Sequence, residues 1–408
     1  MSQRITRVGT FVSVFAVLVL ASTASYGQIS LARIGEFRVS DFNDYAEEIF
    51  DEGAAEIVAH DADSQRMFIV NGAQTRIDIV DVSDPTSPSQ VGSIDVSLYG
   101  DSAQSVAVRK GRGEVAIALA NEVETDPGSV AFFSTNGRFL SQVTVGVLPD
   151  MITFTPDGSR ALTANEGQPD DDYLIDPEGS VSVIHLRGGA RRVRQRDVME
   201  IDFRRFNGLE GLLRFHGIRI FGPGATAAQD FEPEYITVDR NSRRAWVVLQ
   251  ENNAIAELDV VAGRVTNIFS LGYKNHLLPR NALDVSNKDD AINIANWPVL
   301  GMYQPDSISS YRAFGRSFIV TANEGDSRDY DGFSEEERVG GVTLAPRFFE
   351  RFGDDLQADE RLGRLKITTT LGADDNGVFH RLYAYGARSF SIWTASGRQV
   401  YDSGDDFE

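Results

Sequence analysis

The sequence contains no cysteine and only five histidines in 408 residues. Without cysteine the chain has no disulfide, no thiolate-bound zinc or iron–sulfur cluster and no thiol nucleophile. The histidines are scattered and include neither an HExxH motif nor a pair at metal-ligand spacing, which argues against zinc hydrolase chemistry.

Positive charge is scarce as well. Lys and Arg number 39 against 60 Asp and Glu, which gives a net charge of −21. A chain this acidic repels phosphate backbones, so we predict no nucleic-acid partner. The hydrophobic share of 42% and the charged share of 24% are typical of a folded globular protein.

The amino terminus has the pattern of a secretory signal peptide. Arg4 and Arg7 precede an apolar stretch at 8–21, and small residues follow at 22–24. A spanning helix needs about 20 apolar residues, so we predict a signal peptide over 1–24 and no transmembrane segment after its removal. The mature protein is then secreted, whether periplasmic, extracellular or on the cell surface, where weak calcium sites can be filled.

One strand pattern recurs along the rest of the chain: an acid, an alternating strand, a polar turn and a second alternating strand. Its copies lie at 56–71, 104–121, 150–165, 234–250 and 306–323. Third and fourth strands follow in the better copies, and four short strands in roughly 40 residues are typical of a β-propeller blade. We therefore predict an all-β fold, a single β-propeller domain over 29–408 with four-stranded blades.

The remaining segments give the blade count and the insertions. Residues 382–402 are interpreted as a further blade, which makes about six, and residues 31–38 as the strand that closes the ring. Uneven spacing indicates insertions at 187–231, 273–302 and 325–360, and long loops on a rigid scaffold often carry binding. In the first insertion, an apolar helical face packed on the blade rim is predicted for Phe203, Phe206, Leu209, Leu212 and Leu213.

An acid stands at the start of the first strand in four of the five copies. Because first strands line the central channel of a propeller, these acids are expected to gather around one mouth. The channel-mouth acids are Glu56, Asp150, Glu234 and Asp306. Like charges held close are unfavourable unless a cation or a shared proton offsets them. The group is either a cation-binding funnel or a set of acceptors for turn amides.

Asn-Glu pairs follow the second strands at 121–122, 165–166 and 323–324. We expect them at the opposite edge of the blades, with each Asn serving a tight turn through left-handed geometry or a side-chain bond to the backbone. The glutamates could also surround a binding site.

Three acidic loops are candidate calcium sites, at 324–331, 284–290 and 170–178. The first is not an EF-hand, because Arg338 takes the place of the bidentate Glu. Calcium is the cofactor we predict, and the alternative for each loop is a solvated acidic turn. The predicted metal ligands are Glu324, Asp326, Asp329, Asp331, Asp284 and Asp289.

Longer motifs carry a resemblance to a known family. Thr-Ala-Asn-Glu-Gly occurs twice, at 163–167 and 321–325, and further motifs are Phe-Gly-Pro-Gly at 221–224, Asn-Ile-Ala-Asn-Trp-Pro at 293–298, Gly-Ala-Arg-Ser-Phe-Ser-Ile-Trp at 386–393 and Tyr-Asp-Ser-Gly-Asp-Asp-Phe-Glu at 401–408. Over nearly all of 30–408 the chain resembles the choice-of-anchor I family of secreted YVTN-like, WD40-like propellers. Members are sometimes labelled alkaline-phosphatase-like or mesenchyme-specific cell surface glycoprotein.

The resemblance implies a propeller of seven or so blades. Members normally continue past the Tyr-Asp-Ser-Gly segment, so it also implies that the chain is truncated. They often carry a denser acidic loop than the one at 374–380 here, which argues against a metal at that place.

Two functions fit these observations. The first is a secreted or cell-surface binding scaffold, stabilised by calcium, for a protein, a glycan or a small phosphorylated ligand. The alternative is a calcium-dependent phosphoester hydrolase, in which carboxylates hold metal ions that activate water and arginines hold phosphate. No Ser or Thr stands in a recognisable nucleophile motif and no catalytic residue is identified, so we favour the scaffold.

Overall fold

The computed structural model describes residues 31–38, 53 and 55–408. The predicted signal peptide lies outside these residues. The first two blades are antiparallel sheets of consecutive strands. The first blade contains β1 (Val58–Asp61), β2 (Arg66–Asn71), β3 (Arg76–Asp81) and β4 (Ser89–Asp95). The second contains β5 (Ala103–Arg109), β6 (Glu114–Leu119), β7 (Pro127–Ser134) and β8 (Phe139–Val147).

The next two blades repeat this arrangement, and the first strands of successive blades pack against one another. The third blade contains β9 (Pro149–Phe154), β10 (Arg160–Asn165), β11 (Ser180–His185) and β12 (Val198–Asp202). The fourth contains β13 (Pro233–Val238), β14 (Arg244–Leu249), β15 (Ala254–Asp259) and β16 (Arg264–Ser270). These sheets confirm the predicted β-propeller.

The fifth blade is interrupted in sequence. After β19 (Ser307–Ala313) and β20 (Arg316–Asn323), the chain leaves the propeller and returns as β26 (Ser389–Thr394) and β27 (Gln399–Asp402). The expected sixth blade is therefore wrong, because β26 pairs with β20 and β27 pairs with β26, so that these two strands complete the fifth blade. The described residues contain five four-stranded blades.

The residues between β16 and β26 that lie outside the fifth blade form a second sheet with its own core. Its strands, in spatial order, are β17 (Tyr273–Asn275), β18 (Leu300–Met302), β25 (Tyr383–Ala384), β23 (Lys366–Thr368) and β21 (Glu336–Arg338). Beside it, β22 (Thr343–Leu344) pairs with β24 (Val378–Phe379). Helix α3 (Pro346–Phe352) contributes Phe348 to this core.

Two short helices, α1 (Glu210–Phe215) and α2 (Ala227–Asp230), lie between the third and fourth blades. The single apolar helical face predicted there is wrong. Phe203 is fully buried, whereas 43% of Leu209 and 53% of Leu212 are exposed. The reason is that α1 begins only at Glu210, so the earlier residues are not on the same helix.

Alternating strand residues form the cores between neighbouring blades. Within the described residues, one face of the fifth blade is not covered in this way by a neighbouring blade. The side chains on this face are not buried: Phe318, Val320, Phe390 and Tyr401. The prediction that residues 31–38 close the ring as a strand is wrong, because they form no strand and Gly35 packs against the first blade.

Within the described residues, no helix is sufficiently long and apolar to span a membrane.

Candidate functional site

The starts of the first strands and the ends of the second strands lie at the same edge of each blade. Antiparallel pairing places Pro149 opposite Asn165 and Pro233 opposite Leu249. The prediction that places the Asn-Glu pairs at the blade edge opposite to the channel-mouth acids is therefore wrong. The second strand runs antiparallel to the first, so it ends at the edge where the first strand begins. Residues from both positions meet at one end of the channel, which we call the acidic mouth.

The structure brings the four channel-mouth acids into electrostatic contact. Burial, together with the charges of Asp306 and Glu56, raises the pKa of Asp150 to about 6. Burial is also the main cause of the raised pKa of Glu234, to which Asp150 and Asp306 contribute. Asp150 and Glu234 are therefore close enough to other acids of this group for the neighbouring charges to oppose their ionisation.

Three more glutamates belong to the acidic mouth: Glu166 after β10, Glu232 before β13 and Glu251 after β14. Glu166 belongs to one of the Asn-Glu pairs considered from the sequence, whereas Glu232 and Glu251 are missed by sequence reasoning. Only 6%, 2% and 5% of these residues are exposed. Burial raises the pKa of Glu251 to about 7, against the opposing effect of Arg328. Burial, Asp150 and Glu251 together raise the pKa of Glu166 well above its usual range. The signal that could have found Glu251 is its position just after a second strand, which is equivalent to that of Glu166.

Some oxygens in this region have no hydrogen-bond donor. Glu251 Oε2 and Gln304 Oε1 are buried without a partner among the described residues. Gln304 also has a left-handed backbone, with φ of 37°, and its side-chain Nε2 donates to the carbonyl of Asp326 at 2.7 Å. With its amide nitrogen facing Glu234, Gln250 donates to both carboxylate oxygens, at 2.9 and 3.1 Å. A buried oxygen without a donor is unfavourable, and a cation or a water beside it would offset this cost.

Two buried arginines lie next to the acidic mouth and are already ion-paired. Arg328 lies 2.9 Å from Glu232 and 3.3 Å from Asp230, and Arg219 pairs with Glu335. Their guanidinium carbons lie 4.5 and 4.0 Å from the centre of the Phe221 ring, so both arginines pack on this side chain. Phe221 opens the Phe-Gly-Pro-Gly motif, so this motif packs the arginines in place.

The predicted metal ligands of the 324–331 loop are not brought together. Asp326 lies near the mouth, where burial raises its pKa and Glu336, Glu335 and Asp306 add to the effect. Asp326 is nevertheless still accessible to solvent, and Glu324, Asp329 and Asp331 are exposed as well.

The other two predicted ligands accept loop amides. Asp284 accepts from the backbone of Asn293 at 2.9 Å and of Ser286 at 3.4 Å, and Asp289 accepts from Ala291 at 3.4 Å. In the part of the chain that the structure describes, no group of three or more His, Asp or Glu residues is arranged to hold a metal ion. Calcium stays a prediction.

The Asn of the repeated Thr-Ala-Asn-Glu-Gly motif has a structural role. Asn165 accepts from Thr163 at 2.8 Å and donates to Ser180 and Ser182 on the third strand, at 3.0 and 2.9 Å. Asn323 makes the same contacts in the fifth blade. These two asparagines join strands and do not have left-handed geometry.

In the second blade, Asn121 has the role in a tight turn that is expected for the asparagines of these pairs. Its side-chain oxygen accepts from the backbone of Val123 at 3.1 Å, which is a side-chain bond within a turn.

Comparison with known proteins gives a family and several solved structures of low similarity. The pattern of the choice-of-anchor I domain matches residues 56–408. A search of curated proteins finds no significant match.

Solved structures with a similar chain trace include hydrazine synthase of Kuenenia stuttgartiensis, with 12% identity, a TM-score of 0.34 and coverage of 66% of this chain and 80% of that one. A nidogen/laminin complex has 15% identity, a TM-score of 0.34 and coverage of 54% and 65%. A functionally unknown protein from Desulfotomaculum acetoxidans has 12% identity, a TM-score of 0.38 and coverage of 85% and 84%.

Proposed function

This chain belongs to the choice-of-anchor I family, and we propose that it is a secreted binding scaffold whose acidic mouth takes up a cation. Calcium is the cation we propose. Its binding would stabilise the propeller and order the surrounding loops for a partner. Secretion follows from the signal-peptide pattern at 1–24 and agrees with the extracellular occurrence typical of choice-of-anchor domains.

The observation that supports this proposal is the uncompensated negative charge of the acidic mouth. Glu166 and Glu251 are buried and Glu234 is half-buried, and none of the three makes an ion pair with a side chain in the described residues. A buried carboxylate without a cation is unfavourable, so it either takes up a proton or attracts a positive ligand. Calcium accepts carboxylate, amide and water oxygens in flexible geometry, which suits a mouth that also presents Gln304 Oε1.

The same region disfavours the hydrolase alternative. A phosphoryl group needs free cationic donors, but Arg219 and Arg328 are both buried and held by carboxylates. An acidic mouth also repels a phosphorylated ligand. We therefore propose a protein or a glycan as the partner at this face.

The test is calorimetric titration of the calcium-depleted protein with calcium at pH 7.5. We expect a measurable heat and a higher melting temperature at millimolar calcium, both of which are lost in Glu251→Gln. Glu122→Gln is the matched control, because Glu122 follows the second strand of the second blade but is exposed. No heat and no thermal shift would refute calcium as the ligand. Calcium-dependent hydrolysis of p-nitrophenyl phosphate that is lost in Glu251→Gln would restore the alternative.

A further inference from the structure

An open cavity of about 550 Å³ lies in the second sheet, away from the acidic mouth. Its floor is apolar and includes Phe348, Phe352 and Leu382, and its rim carries Arg347, Arg351 and Arg381. Cavities of roughly 300–1,000 Å³ with an apolar lining and a few polar groups are typical small-molecule sites.

The three arginines at the rim of this cavity are not neutralised by a neighbouring carboxylate of the described residues. Among the residues that the structure describes, no carboxylate lies within ion-pair distance of Arg347, Arg351 or Arg381. In a chain with a net charge of −21, three unpaired guanidinium groups around one cavity create a local positive field. Such a field favours an anion.

The packing of the arginines keeps them at the rim. Arg347 donates to the carbonyl of His380, Arg381 interacts with the Tyr383 phenol, and the Arg351 guanidinium lies 5.1 Å from the centre of the Phe352 ring. These contacts leave further N–H donors on each guanidinium, since arginine has five. Each side chain is therefore positioned and can still bind an oxyanion.

We propose that this cavity binds a small amphiphilic anion, with its carboxylate or phosphate head on the three arginines and its apolar body over Phe348, Phe352 and Leu382. The charge of the arginines favours an anionic head group, because guanidinium groups form charge-assisted hydrogen bonds with carboxylate and phosphate oxygens. The apolar floor selects the body, because burying it removes apolar surface from water. This inference is independent of the proposed function of the acidic mouth.

The test is titration of the whole protein with dodecanoate below its micelle concentration, followed by calorimetry. Dodecyltrimethylammonium is the matched probe, because it has the same chain and the opposite charge. The net charge of the protein favours the cation at any nonspecific site, so a preference for dodecanoate reports the arginine rim. Equal or stronger binding of the cation would overturn the proposal.

Variants then locate the site. Arg351→Gln is expected to weaken dodecanoate binding by about tenfold or more, because a charge-assisted hydrogen bond is lost. Arg187→Gln is the control, since Arg187 is exposed, forms no ion pair in the described residues and lies outside the cavity. Leu277→Trp, which fills the cavity, provides a second variant and is expected to abolish binding with little effect on the melting temperature.

Two further outcomes would refute the proposal. The first is unchanged dodecanoate affinity in both Arg351→Gln and Leu277→Trp. The second is binding to vesicles of anionic phospholipid without binding to free dodecanoate, because it would identify a membrane surface as the ligand.

Discussion

Arg328 Nη2 lies 2.9 Å from Glu232 Oε1, and only 1% and 2% of the two side chains are exposed. The same guanidinium lies 3.3 Å from Asp230, so one buried cation faces two buried carboxylates. Arg328 follows β20, whereas Asp230 and Glu232 precede β13. This ion-pair group therefore joins the segment that leaves the fifth blade to the segment that enters the fourth.

We predict that Arg328→Met strongly destabilises the protein. Removing the only ion-pair partner that Glu232 has in the described residues leaves a buried charge without compensation, which costs about 3–5 kcal/mol. Arg204→Met is the control, because Arg204 forms an ion pair with Glu178 at the surface and 62% of its side chain is exposed. A surface pair contributes about 0–1 kcal/mol. Urea unfolding measures both, and similar losses in the two variants would contradict the interpretation.

The ionisation of Glu251 gives a pH-dependent prediction. Its pKa is about 7 in the folded protein against 4.5 ordinarily. Because the folded pKa is raised, the free energy of unfolding falls as the pH rises from about 4.5 to about 7 and is unaffected by this group outside that range. Without calcium, Glu251→Gln is thus expected to be more stable than the wild type at pH 8, by about 3 kcal/mol at most.

The measurement for Glu251 is the difference in unfolding free energy between variant and wild type from pH 4 to 8, in a calcium chelator. Glu122→Gln is the control and should give a flat difference, because Glu122 is exposed. If the Glu251→Gln difference is equally flat, the carboxylate is not buried in solution as it is in the structure.

The propeller could be predicted from the sequence because each blade is built from neighbouring strands. Alternation and turn residues are local signals, and they place β1 to β16 without knowledge of distant contacts. The fifth blade could not be assigned in this way, since pairing of β20 with β26 joins segments on either side of the inserted sheet. A local pattern carries no information about which distant strand fills the next position.

The acidic mouth was only partly predictable for the same reason. Asp150, Glu234 and Asp306 occupy equivalent positions in the repeat, so the fold alone puts them together. Glu251 is also affected by the charge of Arg328, which lies in an inserted segment and is held by Asp230 and Glu232. Inserted segments have no repeat, so the position of Arg328 beside the mouth cannot be predicted from one sequence.

The asparagine contacts between strands give a further prediction. Asn165→Ala removes three hydrogen bonds among fully or almost fully buried groups and leaves the hydroxyls of Thr163, Ser180 and Ser182 with fewer partners. A loss of about 2–3 kcal/mol in unfolding free energy is expected. Asn121→Ala is the control and should cost about 1 kcal/mol or less, because Asn121 is half-buried. A smaller effect at Asn165 than at Asn121 would refute the structural role of the motif.

Gly386 and Gly325 provide the last prediction, since their backbones lie against each other where the chain returns to the fifth blade. Gly386 has φ of 72°, and a Cβ atom there would lie 1.9 Å from the carbonyl oxygen of Glu324. Gly386→Ala must therefore displace the backbone. Gly377 has a similar φ of 75° but open space around a Cβ, so Gly377→Ala carries only the conformational cost of about 1–2 kcal/mol.

We expect Gly386→Ala to lose at least about 2 kcal/mol more than Gly377→Ala in thermal or urea unfolding, because overlap with backbone adds to the conformational cost. Because the two glycines have nearly the same φ, the conformational cost cancels in the difference between the two variants. What remains is the cost of the overlap with backbone. The larger loss should appear together with a change in the near-ultraviolet signal of Trp393, which lies on β26 just after this contact. Equal losses would show that the two segments do not approach each other as closely in solution.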